Sequence, residues 1–456
     1  MSTSTETVTT APAGPWAAPM APVPIRATVR VPGSKSQTNR ALVLAALSDG
    51  PSTITNGLDA RDTRLMRDGL RALGVRIEES GDSWRITPPA AFTGGTVDCG
   101  LAGTVMRFLP PLAALADAPV AFDGDEQAYV RPMGPLLAGL NALGATVSGD
   151  SLPFSVTGSS ALAGGAVTID ASTSSQYVSG LLLIGARLGG GLDLRHAGEA
   201  LPSRPHIAMT VEMLRARGVQ IDDSETDRWV VAAGPIAAAD VTIEPDLSNA
   251  APFLAAAAIT GGAVTVPHWP AESNQPGMRL PHILQQFGAD VTYDDDGSIL
   301  VEGTDEIDNI EIDLRDVSEL TPVVAALAVL APDTSHLNGV GHIRGHETDR
   351  LAAIATELES LGARVRVHHD GLVIHPRLLA GDTWHTYADH RMAHAGALLG
   401  LVVEHIVLDD VACTDKTMPE FVALWEQMLA DSVAESAAEI AADVDPDAAG
   451  DPAELA

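Results

Sequence analysis

The sequence predicts an α/β fold of two similar domains, each built from three βαβαββ units, with a ligand cleft between them. Two observations carry that expectation. A helix-like stretch closed by glycine and followed by an alternating strand recurs along the chain, at Gly74, Gly144, Gly218, Gly288 and Gly362, with separations of 70, 74, 70 and 74 residues. A second set of helices, rich in Ala and Leu, interleaves with the first. Glycine suits the left-handed position that ends a helix, the V-x-I or V-x-V pattern after it reads as a strand, and a fixed period of this length marks a repeat architecture.

The glycine-closed stretches are RDGLRALGVRIEE, LAGLNALGATVSG, VEMLRARGVQIDD, HILQQFGADVTYD and TELESLGARVRVH. The interleaved helices are NRALVLAAL, GTVMRFLPPLAALA, SQYVSGLLLIGARL, SNAAPFLAAAAI, ELTPVVAALAVLA and HRMAHAGALLGLV. Small apolar side chains on every face fit helices buried all round. The turn at 32–40 resembles that at 244–252, which divides the six units into two related halves. The sixth unit runs out before its final strands, and IRATVRV (25–31) is the expected substitute. One domain would then combine residues 23–33 with 245–430, and the other would span 34–244. The chain would cross between them near Gly33 and near Pro245, leaving a cleft of the kind ligands favour. Residues 1–22 are Thr-, Ala- and Pro-rich, and 431–456 carry eight acidic and no basic side chains. Both segments read as disordered tails.

A net charge of −33 argues against nucleic acid and anionic membranes as partners, since phosphate backbones call for a basic face. Any anionic ligand must be met by a local cluster of cations. Cys99 and Cys413 form no C-x-x-C pair, which suits a reduced, cytoplasmic protein. Neither a signal peptide nor a span long and apolar enough for a bilayer is legible.

The candidate chemistry sits at the starts of the buried helices. Ser34-Lys35-Ser36 precedes the first and Gly103-Thr104 opens the second. Ser174-Ser175-Gln176 opens the third and Leu247-Ser248-Asn249 the fourth. Glu319 begins the fifth and Asp389-His390-Arg391 the sixth. Helix N-termini offer free N–H groups and the positive end of the dipole, although Ser, Thr and Asn there are also ordinary caps. Cations accompany these starts: Lys35, Arg40, Arg107 and Arg391, with Arg131, Arg204, Arg350 and Lys416 in the connecting turns. Of 27 basic residues only Lys35 and Lys416 are lysines. An ammonium is compact, mobile and able to shift its pKa, unlike a guanidinium. G-S-K-S lacks the full spacing of a nucleotide-binding P-loop. The His pairs at 342/346 and 390/394 lack a third zinc ligand.

In order along the chain, P-G-S-K-S-x-x-x-R (32–40), A-G-T-x-M-R (102–107), R-P-x-x-x-L (131–136), S-S-Q-Y (174–177), S-R-P-H (203–206), G-H-E-T-D-R-L (345–351), D-H-R-M-A (389–393) and K-T-M-P (416–419) together resemble the EPSP synthases, a family of enolpyruvyl transferases. The resemblance spans about residues 25–430. It implies the inside-out α/β barrel domains of that family, a monomer, no metal or organic cofactor, and two substrates, phosphoenolpyruvate and shikimate 3-phosphate. It implies that Lys35, Ser36, Arg40, Ser174, Ser175, Gln176, Ser203, Glu319 and His346 hold shikimate 3-phosphate. Lys35, Gly103, Arg131, Gln176, Arg350, Arg391 and Lys416 would hold phosphoenolpyruvate, in a pocket that admits the inhibitor glyphosate. Glu319 would accept the proton of the attacking hydroxyl, and Glu347 would assist proton traffic at the methylene carbon. Three positions depart from many family members: Glu319 for Asp, His346 for Lys and Phe108 for Pro. The nearest rival is the UDP-N-acetylglucosamine enolpyruvyl transferase family, whose mobile-loop cysteine motif matches neither Cys99 nor Cys413. A non-catalytic clamp for a polyanion is the rival of another class.

Overall fold

The computed structural model describes residues 12, 14–304 and 306–443. Five four-stranded sheets and one three-stranded sheet account for the strands of these residues, one sheet for each expected unit. The second unit shows the pattern. Strand Gly95–Asp98 leads into helix Gly103–Ala113, then strand Val120–Asp123, helix Gly134–Ala142 and the hairpin Thr146–Ser148/Phe154–Thr157. The first two strands run parallel, as a helical crossover requires, and the hairpin adds antiparallel to the second. The five repeat glycines all adopt left-handed backbone, with φ between 79° and 107°.

The interleaved helices are buried, as their composition predicts. Lys35–Leu47, Gly103–Ala113, Ser175–Gly185, Ala251–Thr260, Thr321–Ala328 and His390–Gly400 form two groups of three inside the sheets. Close approach within a group depends on missing side chains. A Cβ on Gly180 would lie 2.3 Å from the Arg107 carbonyl, so the second and third helices pack nearly backbone to backbone. Buried apolar side chains fall into two clusters. One runs from Ala41 to Ile243, and the other joins Trp16–Val31 to Leu247–Leu429.

The ends of the chain differ from expectation in three ways. Arg26–Thr28 does not complete the sixth unit; it pairs parallel with Ala263–Val266 of the fourth. Val241–Thr242 in turn completes the sheet of the first unit. Each half therefore borrows its first strand across the crossover, where Gly33 bridges Pro245 and Ser34 N donates to Glu244 O at 2.8 Å. The sixth unit keeps two short strands and takes its third from Trp16–Ala17, a segment expected in the N-terminal tail. Trp16 is buried there, and the pairing covers an otherwise open sheet edge. Finally, helix Phe421–Asp443 runs well past residue 431, where a tail was expected. Its first half buries Phe421, Trp425 and Met428, and the buried Ser432 hydroxyl accepts from Arg26 N at 2.9 Å. Ala and Glu, read as markers of disorder, are also the strongest helix formers, and a docked first half extends the helix. The outer parts of both expected tails, 1–11 and 444–456, lie outside the described residues. Among the described residues no helix is long and apolar enough to cross a membrane.

Candidate active site

All six buried helices send their N-terminal residues to one cleft. Its wall includes Lys35 and Ser36, Gly103 and Thr104, Ser174 to Gln176, Ser248, Glu319, and His390 with Arg391. Several helix dipoles therefore point their positive ends at a shared space. Ser34 and Ser174 also cap their helices, accepting from Gln37 N and Gln176 N. The cleft offers about 140 Å³, room for roughly ten waters. That suits small molecules and excludes a polymer from its floor.

The cations along the wall are aimed by partners behind them. Lys35 Nζ meets Asp62 Oδ2 at 3.1 Å, and the Lys35 backbone N–H donates to Asp246. Arg131 donates to Leu101 O at 3.0 Å, and Arg391 to Ser248 O at 2.7 Å. Arg350 is forked onto Asp389 at 2.7 and 3.1 Å. Burial works against its charge, but Asp389 and Glu347 outweigh it and raise its pKa. A buried guanidinium held by a carboxylate stays charged and keeps one orientation.

Two carboxylates on this wall live in opposite settings. Glu319 is touched by Ser248 Oγ at 3.4 Å and lies 3.9 Å from His206 Nε2. Burial raises its pKa, and the more distant Arg391 and Arg350 only partly offset this. For Glu347, burial also pushes upward. However, Lys416 at 2.6 Å and Arg350 at 2.9 Å hold it well below the usual carboxylate range. Glu319 is therefore the basic carboxylate and Glu347 the clamped one.

Burial disfavours the charged form of the histidines at the cleft. Burial and then Arg350 keep His346 well below its ordinary value, and Arg350 Nη1 donates to its Nδ1 at 3.0 Å, which leaves the proton on Nε2. Burial lowers His206 to about 3 and His342 to about 4. The His342/346 and His390/394 rings meet edge to face. Among the described residues no three His, Cys, Asp or Glu side chains are grouped as a metal would need.

Of the residues singled out in the sequence, Lys35, Ser36, Gly103, Arg131, Ser174, Ser175, Gln176, Ser203, Glu319, His346, Glu347, Arg350 and Arg391 line the cleft. Lys416 stands at its edge, donating to Glu347 and to Leu101 O. Arg40 does not line it. It is buried beneath the Ser36 turn, donating to Thr210 Oγ1, Ser36 O and His206 O, with its guanidinium 5.1 Å from the Phe108 ring. Phe108 thus supports Arg40. Arg204 points away, onto Asp227. Sequence reasoning missed His206, which stands inside a quoted motif, and the carboxylates Asp62 and Asp246; it placed Asp389 at a helix start but not as the partner of Arg350. The need of each buried cation for an anion signals that such partners exist, but not which residues they are.

The chain superposes on an EPSP synthase from Acinetobacter baumannii with a TM-score of 0.75 at 24% identity, covering 90% of this chain and 97% of that one. It superposes on the enolpyruvyl transferase NikO from Streptomyces tendae with a TM-score of 0.71 at 18% identity, covering 91% and 98%. The fold is that of the enolpyruvyl transferases. Residues 19–425 match the family described as EPSP synthase (3-phosphoshikimate 1-carboxyvinyltransferase). A relative of that name from Mycobacterium ulcerans is 53% identical over 429 residues, covering 92% of this chain and 98% of its own length. The chain belongs to the EPSP synthase family.

Proposed function

We propose that this enzyme transfers the enolpyruvyl group of phosphoenolpyruvate to the 5-hydroxyl of shikimate 3-phosphate and releases phosphate. The observation that carries the reading is the convergence of Lys35, Arg131, Arg350 and Arg391 on one small cleft, with Lys416 at its edge and the basic carboxylate Glu319 in its wall. Two polyanionic substrates repel each other, so charge compensation and positioning supply most of the catalysis. Arg131, Arg350 and Arg391 suit the carboxylate and phosphate of phosphoenolpyruvate, because a guanidinium fork matches two oxygens. Ser36, Ser174, Ser175, Gln176, Ser203 and neutral His346 suit the hydroxyls and phosphate of the acceptor.

Glu319 takes the proton of the 5-hydroxyl as its oxygen bonds to the central carbon of phosphoenolpyruvate. Lys416 and Glu347, 2.6 Å apart, form the donor and acceptor for the proton gained and then lost at the methylene carbon. As that proton leaves, its bonding pair re-forms the carbon–carbon double bond and the carbon–oxygen bond to phosphate breaks, with Lys35 meeting the charge of the leaving group. Arg40 acts from beneath, fixing the Ser36 carbonyl.

We assign the two apolar cores to two domains, 34–244 and 23–33 with 245–430, that close over the substrates. We further infer a monomer without nucleic-acid partners, in the cytoplasm, whose reducing conditions suit the free Cys99 and Cys413. The test is phosphate release from phosphoenolpyruvate with shikimate 3-phosphate, run beside UDP-N-acetylglucosamine. Release with the first acceptor alone is expected; release only with the second, or with neither, overturns the reading.

A further inference from the structure

The segment that delivers Asp389 to the cleft is bent in a way its own residues resist. Between strand Thr383–Trp384 and helix His390–Gly400, Tyr387 and Ala388 both have left-handed backbone, with φ of 56° and 54°. Neither is glycine or asparagine, and a Cβ makes that region costly. Two such residues in succession persist only where the surroundings over-determine them, and such places cluster at functional sites. Two carboxylates do so here. Asp409 accepts from Thr386 N and Oγ1, both at 2.9 Å, and pairs with His385 Nδ1. Glu357 accepts from His385 N at 2.8 Å and from Tyr387 OH at 2.5 Å. It is 1% exposed, and among the described residues no Lys or Arg pairs with it. A buried carboxylate without a cation is costly unless hydrogen bonds satisfy it, and both of these go to the turn. The turn ends in Asp389, which forks Arg350 at 2.7 and 3.1 Å and accepts from Arg391 N at 2.9 Å, capping the helix that carries Arg391. Arg350 and Glu357 belong to one helix, Arg350–Ser360, and stand about two turns apart on the same face. That helix therefore grips the turn twice.

We propose that Glu357 is a positioning residue for Arg350 and Arg391: it holds the strained turn 385–388 that sets where Asp389 places both guanidinium groups. The inference rests on the enolpyruvyl transfer proposed above, in which these two arginines take phosphoenolpyruvate. Glu357 stands outside the cleft wall and acts only through the turn.

Glu357→Leu removes both acceptors. KM for phosphoenolpyruvate should then rise about tenfold, and KM for shikimate 3-phosphate less than about threefold. Glu357→Gln should stay near wild type, since an amide can accept from His385 N–H and donate to the Tyr387 hydroxyl. Adding Ala388→Gly to Glu357→Leu should recover most of the loss, because glycine takes left-handed backbone unaided. A side chain that only filled the core would show no such coupling. Independently of turnover, the Arg350 Nε–H signal of ¹⁵N-arginine-labelled protein, assigned through Arg350→Lys, should lose protection from exchange with water in Glu357→Leu and regain it with Ala388→Gly. A folded Glu357→Leu with Arg350 as protected as in wild type, or with KM for phosphoenolpyruvate unmoved, overturns the proposal, as does a loss that Ala388→Gly leaves in place. Should Glu357→Leu not fold, Tyr387→Phe removes one of the two bonds from a partly exposed ring. It should move KM and protection the same way by less, and no change in either overturns the proposal. Absence of phosphate release by the wild-type chain strikes the functional reading, while the Arg350 signal still decides this one.

Discussion

Glu319 and Glu347 show how neighbours, not side-chain chemistry, divide the work between two carboxylates. Among the described residues Glu319 has no Lys or Arg in contact, so burial dominates and its pKa rises. Glu347 has two, and stays an anion. Glu319→Gln should lower kcat by about 10²- to 10⁴-fold while leaving circular dichroism unchanged. A base works in its ionised form, so wild-type turnover should fall as pH drops through the raised pKa of Glu319. That acid limb should lie above the ordinary carboxylate value of about 4.3 and be absent from the residual rate of Glu319→Gln. Gly103 decides how closely the cations gather. A Cβ there would sit 3.1 Å from both Arg107 Nη1 and Arg131 Nη2, and 3.2 Å from Gln176 Oε1. Crowding of this order costs about 1–3 kcal/mol. Gly103→Ala should therefore raise KM for phosphoenolpyruvate roughly tenfold or more, with a smaller change in kcat.

Among the elements, the repeat depends on its closing glycines and the sixth unit on a borrowed strand. Gly218 has φ 79° and open space where a Cβ would point. Gly218→Ala should thus cost only backbone strain, about 1 kcal/mol, and Gly218→Asn less, since Asn tolerates the left-handed region. Urea unfolding of the two variants checks the order. Trp16 tests the strand added from the N-terminus. It is 8% exposed and its residue pairs with Leu408. Trp16→Ala should destabilise by about 3 kcal/mol, whereas removal of a disordered tail residue would change nothing. Equal midpoints for Trp16→Ala and wild type would return this segment to the solvent.

At the level of the whole molecule, a chain of charge −33 brings five of its 27 cations, Lys35, Arg107, Arg131, Arg350 and Arg391, to one cleft and buries histidines around it. His206, His342, His346, His390 and His394 all have lowered pKa values, chiefly through burial. In the unfolded chain each takes a proton near about pH 6.5; in the folded chain each resists until far lower. The unfolded state thus binds more protons below that value, and stability falls as pH falls. Glu319 and Glu420, raised by burial, and His385, raised by its hydrogen bond to Asp409, have the opposite sign, since each adds stability as pH falls, but they are three groups against five. The urea midpoint should drop between pH 7 and pH 5, before most carboxylates titrate. His394→Phe should flatten that slope, because neither ring nitrogen of His394 has a hydrogen-bond partner to lose among the described residues.

The sequence by itself determined the units, the buried helices and most of the cleft wall. Periodic glycines, all-apolar helices and polar helix starts are local signals, written within a few residues of each other. Lys35, Arg350 and Arg391 were legible because each stands in a motif that opens a helix, and Arg131 because its motif leads into one. The tertiary structure alone decided the pairings. Which sheet receives Arg26–Thr28, and whether Trp16 joins a sheet at all, depend on edges hundreds of residues away in the chain. The fate of Arg40, and the choice of Asp62, Asp246 and Asp389 as partners, depend on which charges end up buried together. Burial and Coulomb energy belong to the assembled space and not to the local string, so the division between a basic Glu319 and a clamped Glu347 appears only once the helices have met.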